Sequence, residues 1–149
     1  MKRLIFELQR FAGVTINNTL DNSLVAGSAD ADSIYNSGTN VTIDGGAGND
    51  LVSLNNSYAT NAWIVYNEGD GNDTIDYSSG NATIQIASGE LKSITSTDGK
   101  NLLLHVGDDT ITVLNGWRFL EDRYGRLKIF DAEDNDLLSS ITPVLLADS

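Results

Sequence analysis

The chain has 149 residues, with 21 acidic against 9 basic side chains and a formal charge of −12. A chain of this length buries one core, and so strong a negative balance repels both a nucleic-acid backbone and an anionic membrane, which leaves cations as its natural counterpart. Asp, Asn, Ser, Gly and Thr are abundant enough to exclude a helical bundle, the 40% hydrophobic content excludes a disordered acidic chain, and the lack of Cys excludes disulfides and cysteine zinc sites.

In chain order, Lys2 and Arg3 followed by Leu4, Ile5 and Phe6 open like a secretory signal. Glu7, Gln9 and Arg10 interrupt it before an apolar stretch forms. Leu4, Ile5, Leu8, Phe11 and Ala12 fall at helical spacing, so residues 2–12 are expected to form a short amphipathic helix, either a cap on the fold or a docking arm. No stretch reaches the ~18 apolar residues of a membrane span.

Three segments then align on one aspartate each: Gly27-Ser-Ala-Asp-Ala-Asp32-Ser-Ile34, Gly45-Gly-Ala-Gly-Asn-Asp50-Leu-Val52 and Glu68-Gly-Asp-Gly-Asn-Asp73-Thr-Ile75. Asp32 and Asp50 are 18 residues apart, and Asp50 and Asp73 are 23 apart. A weaker fourth copy, Gly107-Asp108-Asp109-Thr-Ile111, places Asp109 36 residues after Asp73, twice the period. Glycines supply the positive φ of a tight turn, and the three-residue strand after the aspartate points one apolar side chain inward. Two such half-turns make a coil of 18, so turns one period apart stack on one edge.

The intervening half-coils carry no such aspartate. Val41 stands at that position ahead of Ile43, and Tyr77 to Asn81 lead into the alternating strand Ala82-Thr-Ile84-Gln-Ile86. The five-residue insertion is expected in Asn55 to Trp63, on the edge away from the aspartates, ahead of a strand Ile64-Val65-Tyr66.

The nonapeptides resemble the GGxGxDxUx repeat of the RTX-type (haemolysin-type) calcium-binding β-roll proteins. Gly45 to Ser53 satisfies every fixed position, and Glu68 to Asp76 all but the first, where Glu68 replaces Gly. Gly27 to Tyr35 departs at Ser28 and Asp30. The resemblance covers residues 27–76 and extends weakly to about 115. It implies calcium held between turns of adjacent coils by aspartate carboxylates and turn carbonyls.

The residues lead toward the same cation. Asp32, Asp50 and Asp73 would lie about 4.8 Å apart on neighbouring strands, where unscreened carboxylates repel. Calcium accepts six to eight oxygens in a forgiving geometry, whereas magnesium demands a tighter octahedron. The expected ligand turns are Asp32, Asp50 and Asp73 with Gly46, Gly48, Asn49, Gly69, Gly71 and Asn72, forming two sites that share Asp50. The alternative is a set of Asx-turns capped by their own aspartates, without metal.

Beyond Ser88 the pattern changes to antiparallel segments, with Asp98-Gly99 marking a hairpin between Leu91–Thr95 and Leu102–Val106. Trp117, Phe119, Tyr124 and Phe130 interleave with Arg118, Arg123, Arg126 and Lys128. This cluster reads as an aromatic core face topped by solvated cations rather than a binder of acidic surfaces or glycans. Asp131 to Asp136 resembles the opening of an EF-hand loop, but Asp136 occupies its glycine position and Thr142 its glutamate position, so a solvated turn is expected. The sole histidine, His105, lies in an apolar run without a nucleophile motif beside it, and no catalytic function is expected. Pro143 interrupts any helix or central strand in the tail.

These readings converge on an all-β chain: a parallel β-roll or β-solenoid with an 18-residue coil, a C-terminal antiparallel cap and a short N-terminal helix or arm. Its expected divisions are an arm at 1–16, the roll at 17–90, and the cap and tail at 91–149. The expected function is structural: an extracellular calcium-binding roll that folds on calcium and assembles end to end with copies of itself. A monomeric calcium-binding module that assists secretion or binds cell-surface polysaccharide is the alternative. The resemblance, the interrupted N-terminal signal and the acidic-then-apolar tail together imply export to the cell exterior or surface through an uncleaved C-terminal signal.

Overall fold

A computed structural model describes residues 3–6, 13–54, 61–77, 80–120 and 124–146. Among the described residues fourteen strands form two sheets: β1 Arg3–Phe6, β2 Thr15–Asn18, β3 Ser23–Ala26, β4 Ser33–Asn36, β5 Thr42–Asp44, β6 Leu51–Ser53, β7 Ala62–Tyr66, β8 Thr74–Asp76, β9 Ala82–Ile86, β10 Leu91–Ser96, β11 Leu102–Val106, β12 Asp109–Leu114, β13 Leu127–Phe130 and β14 Val144–Leu145. Through β9 the chain alternates between sheets, giving the order β1-β3-β5-β7-β9-β13 in one and β14-β10-β11-β12-β8-β6-β4-β2 in the other. All pairings among β1 to β9 are parallel, which makes a β-solenoid.

The period appears directly in the register. Ser33 pairs with Leu51 and Leu24 with Thr42, each 18 positions on. Because strand side chains alternate faces, a fixed period stacks one inward residue on the next. One rank is Ile16, Ile34, Val52, Ile75 and Val113; the facing rank is Val25, Ile43, Ile64, Ile84 and Ile129. All ten are buried. At roughly 1.5–3 kcal/mol for each fully buried side chain, these ranks supply the driving force that no single short strand has alone.

Four details differ from expectation. Residues 3–6 form a strand paired in parallel with β3, not helix, while residues 2 and 7–12 lie outside the described residues. An isolated helix of one or two turns is marginal in water, whereas a strand laid on an existing sheet edge satisfies its backbone at once. Arg3–Phe6 therefore contribute to the roll, as does β2, which starts ahead of residue 17.

The insertion is divided rather than confined to one edge. Thr42 pairs with Trp63, 21 positions on, and Leu51 with Thr74, 23 on, so three extra residues precede β7 and two follow it. Asn55–Thr60 lie outside the described residues, and Trp63 belongs to β7, which starts at Ala62.

The fourth aspartate copy is out of register. Thr112 pairs with Thr74, so Ile111 stands at the level of Asp73 and Val113, not Ile111, joins the inward rank. Gly107 and Asp108 instead turn the β11–β12 hairpin, in which Val106 pairs with Asp109 and Gly107 adopts φ 59°.

The antiparallel cap is present as β10, β11 and β12, with β10 and β11 joined through Asp98-Gly99. It is an insertion as much as a cap, because β12 returns to lie parallel on β8 and β13 on β9. No helix among the described residues is long and apolar enough to cross a membrane.

Candidate metal centre

The turns preceding β4, β6 and β8 stack on one edge and bring Asp32, Asp50 and Asp73 into line. Their carboxylates reach back one coil. Asp32 Oδ1 accepts the Val14 N–H at 2.6 Å, Asp50 Oδ1 that of Asp32 at 2.8 Å, and Asp73 Oδ1 that of Asp50 at 2.9 Å. Each aspartate thus satisfies a backbone donor that the turn leaves without a ladder partner.

The second carboxylate oxygens differ between coils. Asp32 Oδ2 accepts the N–H of Ser28, and the Ser28 hydroxyl adds 2.8 Å to Oδ1. In the next turn the corresponding N–H, that of Gly46, donates instead to Asp44 Oδ1 at 3.1 Å. Asp50 Oδ2 is left buried without a partner, in a residue only 2% exposed. An unsatisfied buried carboxylate oxygen is costly unless protonated or bound to a cation.

The electrostatics follow. Burial, reinforced by Asp73, Asp32 and Asp70 against the relief of the Asp32 N–H, pushes the Asp50 carboxyl up to about 7. Burial also pushes Asp73 to about 7, with Asp70, Asp109 and Asp44 adding repulsion. Asp44 is raised as well, chiefly by burial and then by Asp70. The edge thus holds a concentration of negative charge that is unstable when fully ionised.

The glycines are explained by close approach. Gly46 and Gly48 have φ of 85° and 119°, matched by 92° and 115° at Gly69 and Gly71, so the two turns share one backbone shape. A Cβ on Gly46 would lie 2.3 Å from the Ser28 carbonyl oxygen, one on Gly48 2.8 Å from that of Asp30, and one on Gly71 2.3 Å from that of Gly48. Carbonyl oxygens therefore occupy the space between coils that side chains would otherwise fill. Ser28 and Asp30 are absent from the positive-φ residues, so the first turn is built differently.

Asn49 and Asn72 are engaged by backbone: Asn49 Oδ1 accepts the Asn72 N–H and Asn72 Oδ1 that of Thr110, both at 2.8 Å. Glu68 takes the first glycine's place because its side chain covers the next level, against Gly89 and Gly107. Among the described residues, no three carboxylate or imidazole side chains gather closely enough to hold a metal. A cation on this edge would have to combine Asp50 Oδ2 and its neighbours with turn carbonyls. The hard oxygen donors and the orphaned oxygen fit such an ion.

On the opposite edge lies an asparagine ladder that the aspartate motif does not include. Asn22, Asn40 and Asn61 each precede a strand in the left-handed region, at φ 54°, 54° and 43°. Asn40 Nδ2 donates to Asn22 Oδ1 at 3.3 Å and Asn61 Nδ2 to Asn40 Oδ1 at 2.7 Å. An asparagine one or two residues ahead of β3, β5 and β7 is the signal that points to it. Val41, at the position corresponding to the aspartates, is fully buried.

The remaining candidates lie in the C-terminal half. Phe119 is buried and its ring lies 4.6 Å from that of Tyr77, with Arg118 4.7 Å above it and Arg126 5.8 Å away. Phe130 meets Trp63 edge-on at 5.8 Å, whereas Tyr124 is exposed, and Arg123 lies outside the described residues. Asp131 accepts the N–H groups of Glu133 and Asn135 and is thereby held below its ordinary range, chiefly by Asn135. His105 has Thr95 Oγ1 2.8 Å from Nε2 and Thr110 Oγ1 3.3 Å from Nδ1. No family model matches the chain, and no curated protein matches it in sequence.

Proposed function

We propose that this chain is a calcium-responsive structural roll that works outside the cell and assembles end to end. The observation that carries the reading is Asp50 Oδ2, buried and unpartnered in a glycine turn within reach of the charges of Asp73, Asp32 and Asp70. A divalent cation there would remove the repulsion and the unsatisfied oxygen together. Because the unfolded chain offers no such arrangement, binding would add directly to folding free energy.

Support comes from the residues rather than from relatives. The turn at Gly45–Asp50 and that at Glu68–Asp73 share the nonapeptide and the backbone shape. Among the described residues both sheets are open, ending in edge strands rather than closing on themselves, and such edges can pair with another chain.

The test is a calcium titration followed by far-UV circular dichroism and light scattering, with magnesium as control. Strand signal should rise with calcium at concentrations where magnesium does little, and particle mass should rise with it. No change in melting temperature or strand signal up to millimolar calcium would overturn the calcium reading. Calcium-coupled folding at constant monomeric mass would leave a monomeric module instead.

A further inference from the structure

Both ends of the β14-to-β2 sheet are candidates for pairing, and they are protected very differently. At one end β2 has no strand beyond it among the described residues. Val14 and Asn18 accept from Ser33 and Ser37 through their carbonyls, so the alternating residues Thr15 and Asn17 turn their backbone N–H and C=O groups to the open side. At the other end the six-residue β10 is covered by only two residues of β14, with Val144 opposite Thr95 and Leu145 opposite Ser96.

The cover is a poor one. Val144, Leu145 and Leu146 are 48%, 53% and 46% exposed, so the tail places apolar side chains in water rather than on the core. Leu146 N–H donates to Ser96 O at 2.7 Å, but Pro143, directly before β14, has no N–H with which to extend the ladder. Among the described residues Leu91 to Ile94 have no strand on that side. Leu91 and Lys92 open on a groove of about 610 Å³ whose other walls include Glu133, Leu137, Ser140 and Ile141.

We propose that β10 is the docking edge for β2 of a second copy, and that the tail segment 143–146 is a displaceable guard over it. Direction and register support this occupant. β12 lies parallel to β8, β11 antiparallel to β12, and β10 antiparallel to β11, so β10 runs the same way as β2 and an added copy continues the sheet by translation. Setting Ile16 beside Ile94 also sets Asn18 beside Ser96: a buried apolar residue meets a buried apolar one, and a buried polar residue a buried polar one. Thr15 and Asn17 then fall beside Ser93 and Thr95. Such a head-to-tail contact is heterologous and builds an open filament.

The inference rests on the proposed end-to-end assembly and names its contact surface. The experiment compares the full chain, the chain ending at Thr142, and Asn17→Pro by sedimentation and light scattering across protein concentration in calcium. The truncated chain should assemble at a concentration at least tenfold lower than the full chain. Asn17→Pro, which removes an edge N–H without touching the β4 ladder, should abolish assembly while circular dichroism and calcium response stay unchanged.

A Ser96→Cys/Leu145→Cys pair closing the guard should keep the protein monomeric when oxidised and release it when reduced. Assembly of the full chain with an onset unaffected by truncation, by Asn17→Pro or by the disulfide would overturn the β10–β2 contact and leave the assembly reading standing. Monomers throughout, with calcium folding intact, would remove the assembly reading and this inference with it.

Discussion

The two turn edges of the solenoid solve one stacking problem with different chemistry. On the asparagine edge each side chain carries both donor and acceptor, so Asn61, Asn40 and Asn22 bond one another along the axis at no electrostatic cost. On the aspartate edge each ionised side chain only accepts, so each carboxylate turns to the backbone N–H of the preceding coil. An amide ladder is complete in itself. A carboxylate ladder keeps its charge, and at Asp50 one oxygen beyond the donors available. The same geometry thus leaves one edge neutral and the other with buried, mutually repelling carboxylates, and it is there that the proposed calcium would act.

The comparison can be broken most severely at the glycines. Gly71→Val should destabilise the fold by about 3 kcal/mol or more, because its Cβ would meet the Gly48 carbonyl oxygen at a backbone φ of 115°. Gly69→Ala, with φ 92° but open space around it, should lose only about 1 kcal/mol. Urea unfolding of both variants measures the difference. Comparable losses would mean that the coils do not approach as closely as described.

Next in size is Asp50→Ala, which leaves the buried Asp32 N–H without an acceptor and should lose about 2 kcal/mol in the absence of calcium. Asp50→Asn keeps that acceptor and removes the charge. It should therefore retain most of the metal-free stability at pH 8 while losing the rise in melting temperature with calcium. A normal calcium response in Asp50→Asn would separate Asp50 from the cation.

The pH dependence sharpens the contrast. Asp50 and Asp73 are raised from near 3.8 to about 7, so the folded state binds protons more readily than the unfolded chain. Their stabilising protonation is fully present below about 4 and is lost as pH rises through about 7. Metal-free protein should melt at higher temperature at pH 5.5 than at pH 8, and saturating calcium should flatten that slope. Thermal melts at both pH values, with chelator and with calcium, check this.

The smallest effect belongs to the neutral edge. Asn40→Ala should lose about 1 kcal/mol, from its positive φ and its two exposed amide links, with the same loss whether calcium is present or chelated. A calcium-dependent loss would show the two edges to be coupled.

Much of the fold was legible because a solenoid repeats local information. The spacing of Asp32 and Asp50, the β-branched residues two positions after each aspartate and the Asp98-Gly99 turn led directly to the coil, its inward ranks and the hairpin. Sequence and structure part where the repeat stops being local. Asp109 sits a convenient 36 residues after Asp73, but the inserted hairpin shifts the return strand so that Ile111 takes that level. The five inserted residues divide between two connections because strand pairing, not the loop, sets where each coil closes. The helical spacing of the first residues was overridden for Arg3–Phe6 by the open edge of β3.

The candidate site divides the same way. The identity and stacking of Asp32, Asp50 and Asp73 with the glycines of their turns follow from the sequence alone, since an 18-residue period counts the backbone of one coil and glycine marks where φ turns positive. Which oxygen remains unsatisfied does not. That depends on whether the N–H after the first turn glycine meets its own aspartate, as at Ser28, or a neighbour such as Asp44, as at Gly46. Only the packed coils decide it, because donors and acceptors separated by 18 or 23 residues become neighbours when one coil is laid on the next.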